Sequence, residues 1–175
     1  MSRGRIACLL GEDFEDSEFR IPCDHLSAAG WDVEIVGAEA GAELTGKQRR
    51  ERVRVQKSIG AAKLEDYRAL LIPGGYSPDH LRADARFVDL VRAFDAAAKP
   101  IAAVCHGPQL LLTAGLVKGR KLTAWPTVQG DLRQAGAEVS DEPVVVDRNW
   151  ITSRKPADLD AFSRAFLGAL GPPPA

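Results

Sequence analysis

The amino-acid sequence predicts an α/β sandwich with a mostly parallel central sheet. Short apolar runs alternate along the chain with segments of helical period. Strands that are apolar on both faces must be covered on both faces, which is typical of parallel sheets with helices on either side. With 175 residues, 45% hydrophobic and 27% charged, the chain is long enough and apolar enough for one domain with its own core.

The elements follow one another in a regular order. The first half predicts a buried strand at 5–10, a helix at 17–29, an alternating strand at 31–36 and a buried strand at 69–72. The second half predicts a helix around 87–94, a strand at 101–104, a helix opened by Pro108 and closed by Gly115, a hairpin around 147–149 and a helix at 159–170. We therefore expect one domain over residues 1–170, followed by a mobile Pro-rich tail at 171–175.

Charge and composition exclude several classes of protein. The 23 basic and 24 acidic residues leave a net charge of -1, without the basic surplus of a nucleic-acid-binding protein. No apolar run is long enough to span a membrane, and the first residues do not resemble a signal peptide. The three cysteines are widely spaced, which argues against a disulfide framework and against a metal site. We expect a cytoplasmic protein without metal or cofactor, and without nucleic-acid or membrane partners.

Cys105 is the strongest candidate for a catalytic residue. It ends an apolar strand and precedes a helix that Pro108 opens, so the intervening turn must be tight. Such a turn holds its central side chain out at the top of the sheet, as in a nucleophile elbow. The start of the helix favours a thiolate and offers free backbone N–H groups to an oxyanion, while Gly107 allows close approach by a substrate. A buried structural cysteine is the alternative.

His106 follows directly and is a candidate general base, although neighbouring side chains on a turn need not point together. The alternative is a histidine packed beneath the turn. The other two histidines lie upstream, and none follows His106. The triad of class I glutamine amidotransferases, which uses a downstream histidine, therefore cannot be built.

Two further loops follow strands at the same predicted edge of the sheet. The acidic loop after Leu10 runs from Glu12 to Asp16 and includes Glu15. One of its acids could place a carboxyl group beside the thiol, or the acids could simply favour the start of a helix. The loop after Ile72 contains Gly74 and Gly75, which permit a backbone path close to a ligand but are also ordinary turn residues. Neither a P-loop nor a dinucleotide fingerprint occurs. Trp125 is either a core residue or a pocket wall.

These loops, in this order, are similar to the ThiJ/PfpI superfamily, and most of all to its PfpI branch of intracellular proteases, general stress proteins and deglycases. The resemblance extends over about 5–170 and rests on the segments DFEDSEF, LTGK, LLIPGGYSPDHLR, AVCHGPQLLL, VKGRKLTAW, DLRQAGAE, VVVDRNWITSR and PADLDAF. It implies a flavodoxin-like three-layer α/β/α sandwich with a cysteine nucleophile at an elbow.

The resemblance also implies roles for individual residues. Cys105 matches the nucleophile, His106 the adjacent imidazole and Glu15 the carboxylic acid that hydrogen-bonds the sulfur. The N–H groups of Gly75 and His106 match the oxyanion site. In protease-like members, an acid after the PGG segment reaches the histidine of a neighbouring subunit. Asp79 occupies that position and is one methylene shorter than the glutamate of those members. Trp125 stands where protease-like members have a tyrosine.

Three functions are compatible with this resemblance. The first is a cysteine-dependent enzyme of the glyoxalase or deglycase type, acting on small carbonyls or on groups that carbonyls have modified. The second is an intracellular peptidase that uses Cys105, His106 and an acid from a neighbouring subunit. The third is a redox sensor or stress chaperone without catalysis. The resemblance implies a homo-oligomer, a dimer or an assembly up to a hexamer.

Overall fold

A seven-stranded sheet forms the centre of the computed structural model, which describes residues 4–175. The predicted domain begins at residue 1, so its first three residues lie outside the described part. The strands are β1 (Arg5–Leu9), β2 (Asp32–Gly37), β3 (Glu43–Thr45), β4 (Arg52–Arg54), β5 (Lys57–Ser58), β6 (Ala69–Ile72), β7 (Ile101–Val104), β8 (Lys121–Leu122), β9 (Glu138–Val139), β10 (Val144–Asp147) and β11 (Trp150–Ser153).

The order of the strands confirms the predicted α/β class. The central sheet runs β10-β11-β7-β6-β1-β2-β5, and all its neighbours are parallel except β10, which pairs antiparallel with β11 as the predicted hairpin. Strands β3 and β4 form a separate antiparallel pair, and β8 and β9 a parallel one. The short pairs were not expected, because two- and three-residue strands carry too little periodicity to be seen in a sequence.

Helices cover both faces of the sheet, so the three-layer sandwich is confirmed. They are α1 (Asp16–Ala28), α2 (Ser77–Leu81), α3 (Ala85–Ala96), α4 (Gln109–Thr113), α5 (Pro126–Gln134) and α6 (Leu159–Leu170). Helices α1 and α6 cover one face of the sheet, where they pack against Ile6 and Cys8 of β1. Helices α3, α4 and α5 cover the other face, to which Ala7 and Leu9 point. No helix in the part of the chain described here is long and apolar enough to cross a membrane.

The Pro-rich tail lies beside the start of β1. Pro174 is close to Gly4, and Pro173 is close to Gly30. The mobility expected of this tail stays a prediction.

The topology brings the three candidate loops together. Strands β7, β6 and β1 are direct neighbours, with Ala102 opposite Leu71 and Leu71 opposite Cys8. Since the strands are parallel, their carboxyl ends lie at one edge, where ligands bind in open α/β sheets. Cys105, the PGG loop and the acidic loop therefore share one site.

Candidate active site

Cys105 lies at a strained turn directly after β7. Its φ angle is 62°, in the left-handed region that residues other than glycine rarely adopt. The turn is closed by the N–H group of Gly107, which donates to the carbonyl of Val104 at 2.8 Å. The predicted elbow is present, and Cys105 is only 6% exposed.

Glycines allow the backbone to pack closely around this turn. A Cβ atom on Gly107 would lie 2.5 Å from the carbonyl oxygen of Ile72. A Cβ atom on Gly74 would lie 2.4 Å from Oε1 of Glu18 and 2.8 Å from Cβ of Cys105. These distances are shorter than real contacts, so any side chain at either position would push the elbow away from its neighbours.

Two backbone N–H groups, those of His106 and Gly75, donate to the sulfur of Cys105 and thereby favour its thiolate form. An isolated β-bridge between Gly75 and Phe14 holds the PGG loop against the acidic loop. Beside this bridge, the N–H of Tyr76 donates to the carbonyl of Asp13 at 2.9 Å. Both groups implied as the oxyanion site thus face the reacting atom.

Gly75 can be tested by substitution. Its φ is 77°, and a Cβ atom there would lie 2.4 Å from the backbone nitrogen of Glu15. We expect Gly75→Ala to destabilise the protein by roughly 2 kcal/mol or more, measured by urea unfolding. Gly115→Ala is the matched control, because Gly115 has a φ of 74° but a Cβ atom added to it would meet no other atom within 4 Å. Equal losses in both variants would show that the bridge to the acidic loop is not the cause.

Glu18 supplies the carboxyl group beside the sulfur. It is completely buried on the first turn of α1, and its Oε1 accepts the N–H of Gly74 at 2.9 Å. Burial raises the pKa of Glu18 and the negative charge of Glu15 raises it further, while the N–H of Gly74 and the Cys105 side chain oppose the rise. The resulting pKa is about 8. Glu18 therefore carries a proton at neutral pH.

The expectation that Glu15 contacts the sulfur is corrected by this geometry. Glu15 is the residue before α1, and its side chain lies on the cavity wall, where the amide of Gln48 donates to it at 3.4 Å. Glu18 was missed although it continues the buried stripe of Phe19, Pro22, Cys23 and Leu26. An acid on the apolar stripe of a helix is the signal that could have identified it.

The pKa of Cys105 depends on this carboxyl group. Burial raises the pKa of the thiol, the negative charge of an ionised Glu18 raises it further, and the N–H groups of His106 and Gly75 oppose the rise. A Glu18 that keeps its proton removes the repulsion. Cys105 therefore loses its proton more easily while Glu18 is protonated, although burial still raises the pKa of the thiol.

The titration of Glu18 predicts how stability changes with pH. Its pKa is about 8 in the folded protein against an ordinary 4.5, so the folded state binds the extra proton between these values. Stability should therefore fall as pH rises from about 4.5 to 8, with an upper limit of roughly 5 kcal/mol. In Glu18→Gln this decline is expected to disappear, so the Tm of the wild type relative to the variant should fall by several degrees between pH 5 and 9. A constant difference would contradict a protonated Glu18.

His106 does point towards the thiol. Its Nδ1 lies 3.3 Å from the Cys105 sulfur, so the two side chains are within hydrogen-bonding distance. Burial lowers the pKa of His106, and the positive charge of Lys47 lowers it further, while Asp79 opposes both. The imidazole is neutral at pH 7 and able to accept a proton.

Of the other two predicted side chains, Trp125 lines the Cys105 cavity and Asp79 does not. Trp125 stacks near His106 with ring centroids 6.0 Å apart, and its backbone N–H donates to the carbonyl of Cys105, so it is a pocket wall. Asp79 lies on α2 with 60% of its side chain exposed and pairs with Arg82 at 2.9 Å. Its reach to the histidine of another subunit stays a prediction.

A cavity of about 390 Å³ opens onto Cys105. Its walls include Glu18, His106 and Trp125, and also Lys47 and Tyr76, which the sequence did not single out as site residues. In residues 4–175 no group of three histidine, cysteine or acidic side chains is placed to hold a metal ion. The cavity is a small, mostly apolar site built around one thiol.

A thiol at a left-handed elbow, flanked by a neutral imidazole and a protonated carboxyl group, defines a class of α/β proteins with a reactive cysteine. The profile of the DJ-1/PfpI family matches residues 4–169. The chain belongs to the DJ-1/PfpI family, as the sequence resemblance implied.

Relatives and solved structures agree with this assignment. "Protein/nucleic acid deglycase 2" of Escherichia coli is 46% identical over 95% of this chain and 98% of its own length, and "Putative cysteine protease YraA" of Bacillus subtilis is 45% identical over 95% and 98%. Among structures, Drosophila melanogaster DJ-1beta has a TM-score of 0.87 and 26% identity, covering 98% of this chain and 92% of that one. A two-domain protein from Anabaena variabilis has a TM-score of 0.94 and 38% identity, covering 96% of this chain and 48% of that one.

Proposed function

We propose that this protein is a cysteine-dependent enzyme that acts on small carbonyl compounds, or on groups that such carbonyls have modified. The observation that carries the proposal is the setting of Cys105, whose sulfur lies 3.3 Å from a neutral His106 and beside a protonated Glu18. A nucleophile with a base on one side and an acid on the other can both add to a carbonyl and move protons on the adduct.

The reaction with methylglyoxal requires no outside oxidant or reductant. His106 takes the proton of the Cys105 thiol, and the sulfur forms a bond to the aldehyde carbon. The resulting oxyanion is stabilised by the N–H groups of Gly75 and His106 and takes up that proton, which leaves the imidazole neutral again. A proton then leaves that carbon and another is added at the neighbouring ketone carbon, with His106 as base and Glu18 as acid. The product is a hydroxyacyl thioester, which water cleaves to lactate and the free thiol.

The same step supports a deglycase. When the aldehyde carbon already carries an amine or thiol from a protein, Cys105 forms its bond to that carbon as the bond to the amine or thiol breaks, and the released group takes up a proton. The adduct left on Cys105 is the same as in the reaction with methylglyoxal. The same proton shift then gives the thioester, which is hydrolysed as before. The Escherichia coli relative is named as a deglycase of proteins and nucleic acids. The burial of Cys105 and the wall formed by Trp125 favour a small reacting group over a folded polypeptide.

A peptidase is the second candidate, and one feature favours it. A second cavity of about 420 Å³ adjoins the first and shares Glu15, Gln48 and Pro156 with it. A peptide attacked by Cys105 in the first cavity could extend into the second. The Bacillus subtilis relative carries a cysteine-protease name.

The proposal is tested by lactate formation from methylglyoxal in metal-free buffer, beside release of a fluorophore from peptide substrates. Lactate formation by the wild type is the expected result. Its absence, with Cys105 shown to be reduced by mass spectrometry, would overturn the proposal, and peptide cleavage alone would establish the second candidate.

We also propose a homo-oligomer, a dimer or an assembly up to a hexamer, in which Asp79 approaches the His106 of a neighbouring subunit. The high exposure of the Asp79 side chain on α2 supports this role, because an exposed carboxylate is free to reach another subunit. A cytoplasmic location is part of the same proposal and is supported by the three free cysteines.

A further inference from the structure

Lys47 is a positive charge at the mouth of the Cys105 cavity. Its Nζ lies 4.9 Å from the centre of the Tyr76 ring, and both side chains line the cavity. Within residues 4–175, Lys47 takes part in none of the salt bridges. A cation that contacts an aromatic ring and has no carboxylate partner can still bind an anion.

The loop that carries Lys47 is held in place by a buried carboxylate. Asp16 accepts the backbone N–H groups of Gln48, Arg50 and Glu51 at 2.7, 2.9 and 2.9 Å. Burial alone would raise the pKa of Asp16, but these hydrogen bonds outweigh it and hold the pKa below its usual value. The N–H of Lys47 itself donates to the carbonyl of Phe14 at 2.7 Å. The position of Lys47 is thus fixed by the same acidic loop that holds Gly75.

The positive charge of Lys47 acts on the two titratable side chains beside the Cys105 sulfur. It lowers the pKa of both His106 and Glu18, each of which is a close neighbour of Cys105. Among residues 4–175, Glu15 is the one opposing charge on the cavity wall, because Glu18 keeps its proton at neutral pH. An anion on a molecule bound to Cys105 would therefore be attracted by Lys47 and repelled by Glu15.

We propose that Lys47, held over Tyr76, forms a carboxylate-binding subsite beside Cys105 and selects substrates or products that carry a negative charge. This inference rests on the proposed carbonyl reaction for its biological meaning, since the product of that reaction is a hydroxy acid. The subsite itself is a property of the cavity and can be measured without turnover.

The test compares two alkylating agents of nearly equal size. Iodoacetate is an anion and iodoacetamide is neutral, and both alkylate the Cys105 thiolate. The ratio of their rate constants is insensitive to the thiolate fraction, so a change in the pKa of Cys105 does not alter it. Rates are measured at pH 7 and low salt by mass spectrometry of the Cys105 peptide, because Cys8 and Cys23 are also free thiols.

Lys47→Gln is expected to lower the iodoacetate-to-iodoacetamide ratio about fivefold, the effect of one charge at short range near a protein surface. Lys47→Arg should keep the ratio, and Glu15→Gln should raise it. Lys63→Gln is the control, because Lys63 is an exposed lysine before β6, at the opposite edge of the sheet. High salt should remove the difference between wild type and Lys47→Gln.

An unchanged ratio in Lys47→Gln, or an equal fall in Lys63→Gln, would overturn the subsite. Neither result depends on whether methylglyoxal is a substrate. Failure of lactate formation would remove the proposed reaction, while the expected pattern of alkylation ratios would still establish the subsite.

Discussion

Replacing Cys105 by serine is expected to abolish lactate formation from methylglyoxal, with a fall of at least about a thousandfold in kcat/KM. The reaction proposed here needs a sulfur that becomes an anion and forms a covalent adduct, and a serine hydroxyl at the same elbow is a far weaker nucleophile. The N–H groups of His106 and Gly75 remain in place, so the fold and the cavity should be retained. The measurement is steady-state lactate production, with circular dichroism to confirm folding.

Cys23→Ser is the matched control for this substitution. Cys23 is also 6% exposed and is also free, but it lies on α1 within the core. Its replacement should lower stability while leaving the activity of the folded protein unchanged. Retention of more than about a tenth of the activity in Cys105→Ser would show that the thiol is not the nucleophile.

Glu18→Gln is expected to lower kcat about a hundredfold on the same substrate, because it removes a proton donor and acceptor while keeping the size of the side chain. The amide oxygen can still accept the N–H of Gly74, and the amide N–H can still contact the sulfur. Only the movement of a proton is lost. The activity profile should also lose its decline around pH 8, where Glu18 ionises in the wild type.

Glu15→Gln is the control that distinguishes proton transfer by Glu18 from a general effect of negative charge in the acidic loop. Glu15 lies three residues earlier, and its side chain contacts Gln48 and not the sulfur. We expect its replacement to change activity on neutral methylglyoxal by less than about threefold. Equal losses in the two variants would contradict the assignment of Glu18 and would return Glu15 to the site.

Much of the fold could be predicted from local sequence. The buried runs at 69–72 and 101–104 are strands with those bounds, and the last helix spans Leu159–Leu170 as its apolar period indicates. Strand β1 ends at Leu9, one residue earlier than predicted. The strand pairs β3–β4 and β8–β9 were not predicted, because strands of two or three residues are too short to show a period in the sequence.

The choice between two acids shows where prediction from sequence ended. Glu15 and Glu18 lie in the same short segment, and both are reasonable partners for a thiol. The backbone enters α1 at Asp16, which places Glu15 at the cap and turns Glu18 under the PGG loop. That rotation is set by the packing of Phe19 and Cys23 against the sheet, a contact between segments far apart in sequence.

The sequence by itself determined the class of fold, the elbow at Cys105 and the edge of the sheet where the site lies, because each depends on short-range periodicity and turn chemistry. Only the tertiary structure decided that His106 points to the sulfur, that Glu18 holds the proton and that Lys47 stands at the mouth of the cavity. These facts depend on burial and on distances between loops that the chain separates by up to about ninety residues. Charge and pKa are properties of the assembled site, and no local pattern encodes them.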